Sequence, residues 1–170
     1  MARQNRLKGL PTSAAHLAHA ALSYASVAQL VHTDADDQFI ANVALPLSQL
    51  ISFGFELSLK ALILHHGGTQ QQAEECGHDL SAAYKLATSL GLQWDDGREL
   101  EACLVALDKQ QAQFVFRYMP DTGEMGIPNF ERALPLLLRF AGRVHHEVGS
   151  PLQVRRKHVS PYGDNGSHQI

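Results

Sequence analysis

Between Phe39 and His65 the chain is apolar on almost every side a helix could present, and this stretch constrains the fold more than any other. A helix apolar all round has to be buried on all sides or cross a membrane. The most apolar run, Val43 to Leu64, is broken by Pro46, Glu56 and Lys60. The expectation is therefore a central core helix and no transmembrane span. It should end at Gly67-Gly68, with Pro46 in its first turns or bending it.

A buried central helix needs amphipathic partners around it, and four more segments supply that pattern. A first helix should start at Thr12 or Ser13, both good N-caps, and run to about Val31. Leu17, Ala21, Tyr24, Ala28 and Val31 share one face, and His16, His19, Ser23 and Ser26 the other. The polar run 32–37 then breaks it. After a Gln/Glu-rich loop over 69–77, Asp79 is placed to cap a helix from about Leu80 to Leu90, stopped by Gly91. A further helix should follow Asp95-Asp96, with Asp96 and Glu99 in a capping-box-like pattern and Leu100, Cys103, Leu104 and Leu107 on its buried face. Residues 114–127 lack a helical period, and Pro120 to Gly123 reads as a type I turn. Pro128 then opens a last helix to about Val148, with Phe130, Leu134, Leu137, Ala141, Val144 and Val148 facing the core. The fold class expected is all-α, an antiparallel bundle of four to five helices with one irregular loop before the last.

Length and composition agree with one globular domain: 170 residues, 45% hydrophobic and 18% charged. The expected layout is a flexible arm over 1–11, the bundle over 12–149 and a disordered tail over 150–170. A formal net charge of −3 argues against a dedicated duplex-DNA binder, while leaving room for a local basic patch. Two cysteines, Cys76 and Cys103, cannot make a disulfide framework and read as thiols of a reducing compartment. The basic N-terminus has no apolar signal core, so the expected location is cytoplasmic.

Four groups of residues could carry chemistry. On the central helix Gln49, Ser52, Glu56 and Lys60 fall within about 80° of one another, and Glu56 precedes Lys60 in the favoured i,i+4 order. One reading makes this a groove in which Lys60, Arg117 and the helix start at Asp79 hold a phosphate or nucleotide. The other makes it a structural network. Glu56 and Asp79 then neutralise Lys60 and Arg117, His78 bonds locally, and Tyr118 packs with its hydroxyl at the rim. The second group, Arg132, Arg139, Arg143 and His146, lies opposite the core stripe of the last helix. It reads as an RNA-facing surface or as a solvated face whose cations suit the helix C-terminus. The third is the set of ten histidines, among them His16, His19, His65, His66, His145 and His146. They show no converging zinc pattern, so no metal is expected. The fourth is Cys76-Gly77-His78, where a helix start could lower a thiol pKa, although a packed thiol is the default. Without a P-loop or a G-x-G-x-x-G, no cofactor is expected.

Two stretches carry a resemblance. Glu56-Leu57-Ser58-Leu59-Lys60-Ala61 followed by Gly77-His78-Asp79-Leu80, and Phe116-Arg117-Tyr118 before a Pro-Gly loop, resemble bacterial members of the HEPN superfamily, over roughly residues 39 to 148. The resemblance implies a bundle of four or five helices, commonly a homodimer. It also implies either a metal-independent ribonuclease of toxin or defence type, or an inactive member that binds nucleotides or partner proteins. Active members carry an Arg followed, after four to six residues, by a His. Arg139 with His146 matches that spacing, and so does Arg139 with His145. On one continuous helix His146 lies within about 20° of Arg139, whereas His145 falls near the apolar stripe. His146 would then act as general acid or base at the 2′-hydroxyl or leaving oxygen, and Arg139 would stabilise the phosphorane-like charge. The position after the Arg, polar in the family, is Phe140 here.

The leading expectation is interaction with RNA or nucleotide, with ribonuclease activity through Arg139 and His146 as one form of it. The homodimer is expected through the irregular loop and neighbouring helices. A second expectation is an inactive module that dimerises and binds a partner protein, such as a nucleotidyltransferase-like antitoxin. A third is a small-ligand binding bundle with an enclosed apolar pocket.

Overall fold

Alanine sets how closely the helices of this bundle approach. The structure is a computed structural model that describes residues 13–33, 37–112 and 128–149. Among them are six α-helices and no strand: α1 (Ala14–Thr33), α2 (Asp37–His65), α3 (Gln70–Glu75), α4 (Leu80–Ser89), α5 (Gly97–Ala112) and α6 (Phe130–Val148). The protein is an all-α helical bundle. The expected arm, tail and irregular loop with its turn lie outside the described residues.

Helix α2 is the centre, as its composition requires. Leu47, Ile51, Phe55, Leu59, Leu62 and Ile63 are fully buried, each worth roughly 1.5–3 kcal/mol relative to exposure. By length and composition the segment Val43–His65 could cross a membrane, but 67% of its most apolar stretch is buried inside the bundle, as in the core helix of a globular fold. Pro46 sits inside α2 with an exposed ring. The helix ends at Gly67, whose φ of +89° suits glycine, and Gly68 approaches so closely that a Cβ there would lie 2.7 Å from the Ile63 carbonyl oxygen.

Helix α1 packs against α2 and α6 through Ala18, Ala21, Ala25 and Ala28, all fully buried. This corrects the expected face. Ala21 and Ala28 are in the core, but Leu17, Tyr24 and Val31 are only half-buried, because the small alanine ridge lets α1 lie close to both neighbours. The contacts set the directions. His32 meets Glu131 and His19 meets His145, so α1 and α6 run antiparallel. Phe55 meets Phe140 and His66 meets Glu147, so α2 and α6 run parallel.

Sequence and structure differ at other boundaries. The segment expected as a loop over 69–77 contains α3, where Thr69 and Gln72 form a reciprocal capping box. Helix α6 begins at Phe130, not at Pro128; Asn129 is its N-cap and accepts from the Arg132 amide. The α6 stripe is buried as expected from Phe130 through Val144, and Leu136 and Phe140 widen it. Asp79 caps α4 as expected, accepting from the Ala82 amide at 2.7 Å. At the start of α5 Asp96 and Glu99 turn toward Arg139 of α6, and the capping pattern expected there gives way to this tertiary contact.

Candidate functional site

The motif residues of α2 and the α3–α4 turn form one connected network. Glu56, with only 7% of its side chain exposed, accepts from Lys60 Nζ at 2.7 Å through Oε1. Its Oε2 lies 3.0 Å from His78 Nδ1. Lys60 Nζ also donates to the Gly77 carbonyl at 2.8 Å. The geometry explains why these residue types come together. A carboxylate buried in a helix interior needs a cation and further donors. The turn before α4 supplies a ring nitrogen and, through Gly77, takes up a second ammonium proton. The His78 ring remains mostly exposed, 6.4 Å from the Phe53 ring, which in turn meets Tyr24 edge-on at 5.7 Å.

The start of α4, the expected phosphate cradle, is occupied by the protein's own carboxylates. Asp79 takes the Ala82 amide. Asp108, reaching across from α5, takes the amides of Leu80 at 2.7 Å and Ser81 at 2.8 Å, and also the Ser81 hydroxyl. Two negative charges therefore stand where a phosphate would dock. No local pattern announces Asp108, because its partners are 27 and 28 residues away. Arg117 and Tyr118 lie outside the described residues.

On α6, Arg139 and Arg143 face the α4–α5 connection and the start of α5. Arg139 lies 3.4 Å from Glu99 and 3.8 Å from Asp96. Arg143 donates to the Gln93 carbonyl at 2.9 Å and stacks over the Trp94 ring at 5.1 Å. Trp94 closes the arrangement by meeting Phe140 edge-on at 5.1 Å. This explains Phe140: the position after Arg139 is fully buried under Trp94 and Phe55, where a polar side chain would be costly. Trp94, Asp95, Asp96, Arg139 and Arg143 line an open depression of about 280 Å³. Arg132 and His146 are exposed further along α6, one near each end of the helix. The structure thus brings Arg139 together with two carboxylates, and His146 stands two helical turns, about 10 Å, along the axis.

The thiol candidate does not have the features of a nucleophile. Burial raises the Cys76 thiol pKa, with Asp79 and Glu75 adding to the effect against an opposing Lys60. Cys76 Sγ meets the Gln72 carbonyl at 3.3 Å. Both cysteines are free. Among the described residues no three His, Cys, Asp or Glu side chains converge as metal ligands. His19 and His145 form a ring pair 6.0 Å apart.

Comparison with protein-family models, curated proteins and solved structures returns no match to this chain.

Proposed function

We propose that this chain is a HEPN-like helical interaction module that works by binding a protein partner and does not cut RNA. One observation carries the reading: the guanidinium assigned to phosphoryl chemistry, Arg139, is paired with Glu99 and Asp96. An arginine that stabilises a phosphorane-like transition state must present uncompensated charge to it. Two carboxylates beside Arg139 would repel an incoming RNA backbone and compete for its donors. The carboxylates of Asp79 and Asp108 at the start of α4 act in the same direction on the second candidate phosphate site. Glu56, Lys60 and His78 serve the module as a clamp between α2 and the α3–α4 turn.

The test is cleavage of mixed single-stranded RNA without added metal, comparing wild type with Arg139→Ala and His146→Ala. The expected result is no cleavage above the blank for any of the three. Cleavage by the wild type that disappears in both variants, with their circular dichroism unchanged, would overturn the reading and restore a ribonuclease at Arg139 and His146.

A further inference from the structure

We infer that the depression between α6 and the start of α5 is a binding site for a free α-amino acid with an apolar side chain. Its lining carries both charges that such a zwitterion needs. Arg139 and Arg143 stand on α6, Asp95 and Asp96 precede α5, and Trp94 is the aromatic part of the lining. These opposite charges are close together without being used up by one another. Elsewhere in the protein the carboxylate contacts that hold elements together are short, 2.7 Å from Lys60 to Glu56 and 2.7 and 2.8 Å from the Leu80 and Ser81 amides to Asp108. Here Arg139 reaches Glu99 at 3.4 Å and Asp96 at 3.8 Å, both through Nη2, and its side chain is 56% exposed. A guanidinium has five N–H donors in a fixed fork, so most of this fork is left open. Asp95 is exposed and has no polar partner among the described residues. The site is open and charged, unlike the enclosed apolar pocket expected from the sequence.

Charge selects a zwitterion over an anion. The guanidiniums of Arg139 and Arg143 stand with the carboxylates of Asp95, Asp96 and Glu99. A polyanion brings nothing to match those carboxylates. An α-amino acid matches both signs: its carboxylate suits the open fork of Arg139 by paired hydrogen bonds, and its ammonium suits Asp95 and Asp96. The aromatic wall is fixed before any ligand arrives. Arg143 stacks over Trp94 at 5.1 Å, Phe140 meets it edge-on at 5.1 Å, and Arg143 is itself held by the Gln93 carbonyl. Groups already ordered lose less freedom on binding. The indole and the methylene stems of the two arginines give an apolar side chain its surface. Size sets the ligand class. About 280 Å³ lies just below the roughly 300 Å³ at which small-molecule sites begin, which suits a single amino acid. An open site of that size holds a ligand of about ten heavy atoms with a dissociation constant on the order of 0.1–1 mM.

Trp94 is the one tryptophan of the chain, so its fluorescence reports on this site directly. The full chain is titrated with L-leucine, with N-acetyl-L-leucine, which lacks the ammonium, and with L-leucinamide, which lacks the carboxylate. Isothermal titration calorimetry reads the same binding as heat. The expected result is saturable binding of L-leucine, with dissociation constants at least about tenfold higher for the two single-charge ligands. Arg139→Gln and Asp95→Asn should each weaken leucine binding at least about tenfold. Arg132→Gln, an exposed arginine of α6 outside the depression, should leave it unchanged. All three positions are exposed, so the variants keep the fold, and circular dichroism verifies this. No saturable fluorescence change and no saturable heat up to about 10 mM leucine, well above the range open to a site of this size, overturns the inference. So does binding that the single-charge ligands match, that Arg139→Gln and Asp95→Asn leave intact, or that Arg132→Gln weakens equally. The site stands or falls independently of the module reading, which the RNA assay tests by itself.

Discussion

Single residues in this bundle are defined by what neutralises them. Lys60 and Arg139, one from each phosphate site drawn from the sequence, are both given carboxylates by the fold, Glu56 for one and Glu99 with Asp96 for the other. The cysteines follow the same rule of environment. Burial pushes the Cys103 thiol up to about 11, and the Glu99 carboxylate adds to the effect. A raised thiol pKa means that the thiolate appears only at higher pH, so at pH 8 roughly one Cys103 in a thousand is ionised. Alkylation of Cys103 in the native protein is therefore expected to run about a hundredfold slower than in urea, and to climb with pH up to about 11. Mass spectrometry of iodoacetamide-treated protein, resolved by peptide, measures it. Equal rates in the native and denatured chain would refute the buried environment.

At the scale of elements, the instructive helix is α4, whose ten residues are too few to be stable alone. Its start is held from two sides, locally by Asp79 and across the bundle by Asp108, which satisfies two backbone amides and a hydroxyl at once. Asp108→Ala removes acceptors from amides that sit at a packed helix start, beside the fully buried Leu80. The expected loss is about 1–3 kcal/mol of unfolding free energy, the cost of an N-cap plus unsatisfied donors. Urea denaturation would show it as a lower midpoint with an unchanged slope. Asp108→Asn, which keeps one acceptor oxygen, should recover part of the loss. A loss below about 0.5 kcal/mol, as for an ordinary surface substitution, would mean that Asp108 is not a tertiary cap.

For the whole molecule, the decisive event is the crossing of α2 and α6, where Gly54 lets the fully buried Leu137 side chain seat against the central helix. A Cβ at Gly54 would stand 2.8 Å from Leu137 Cδ2 and 2.9 Å from Cδ1. Alanine raises local helix propensity by about 1 kcal/mol, but here it overpacks a filled interface. Gly54→Ala is expected to destabilise by about 1–3 kcal/mol, because the clash outweighs the propensity gain. Gly54→Ala combined with Leu137→Val, which makes room, should cost less than the sum of the two single changes. Thermal unfolding of the four proteins gives the cycle. Strict additivity would show that the two positions do not share this crossing.

The sequence by itself determined the helical class, the central place of α2 and the approximate ends of most helices. Those features are local: hydrophobic period, the Asp79 cap, and the Gly-Gly and Gly91 stops act over a few residues. It also singled out Glu56 and Lys60 as a pair, but it read Asp79 as a second neutralising acid and His78 as bonded locally, whereas Asp79 caps α4 and His78 reaches Glu56 across 22 residues. Short α3 was missed because a Gln/Glu run resembles a loop until Thr69 and Gln72 close their capping box. The inward face of α1 was misjudged because periodicity favours large side chains, whereas close packing of three helices favours alanine. Only the tertiary structure decided that Asp108 fills the start of α4, that Arg139 is paired with Asp96 and Glu99 at the start of α5 and that Phe140 lies under Trp94. Each of these partnerships joins residues 27 to 46 positions apart. Separations of that length are closed by the packing of α2 against its neighbours, and no short-range pattern encodes them.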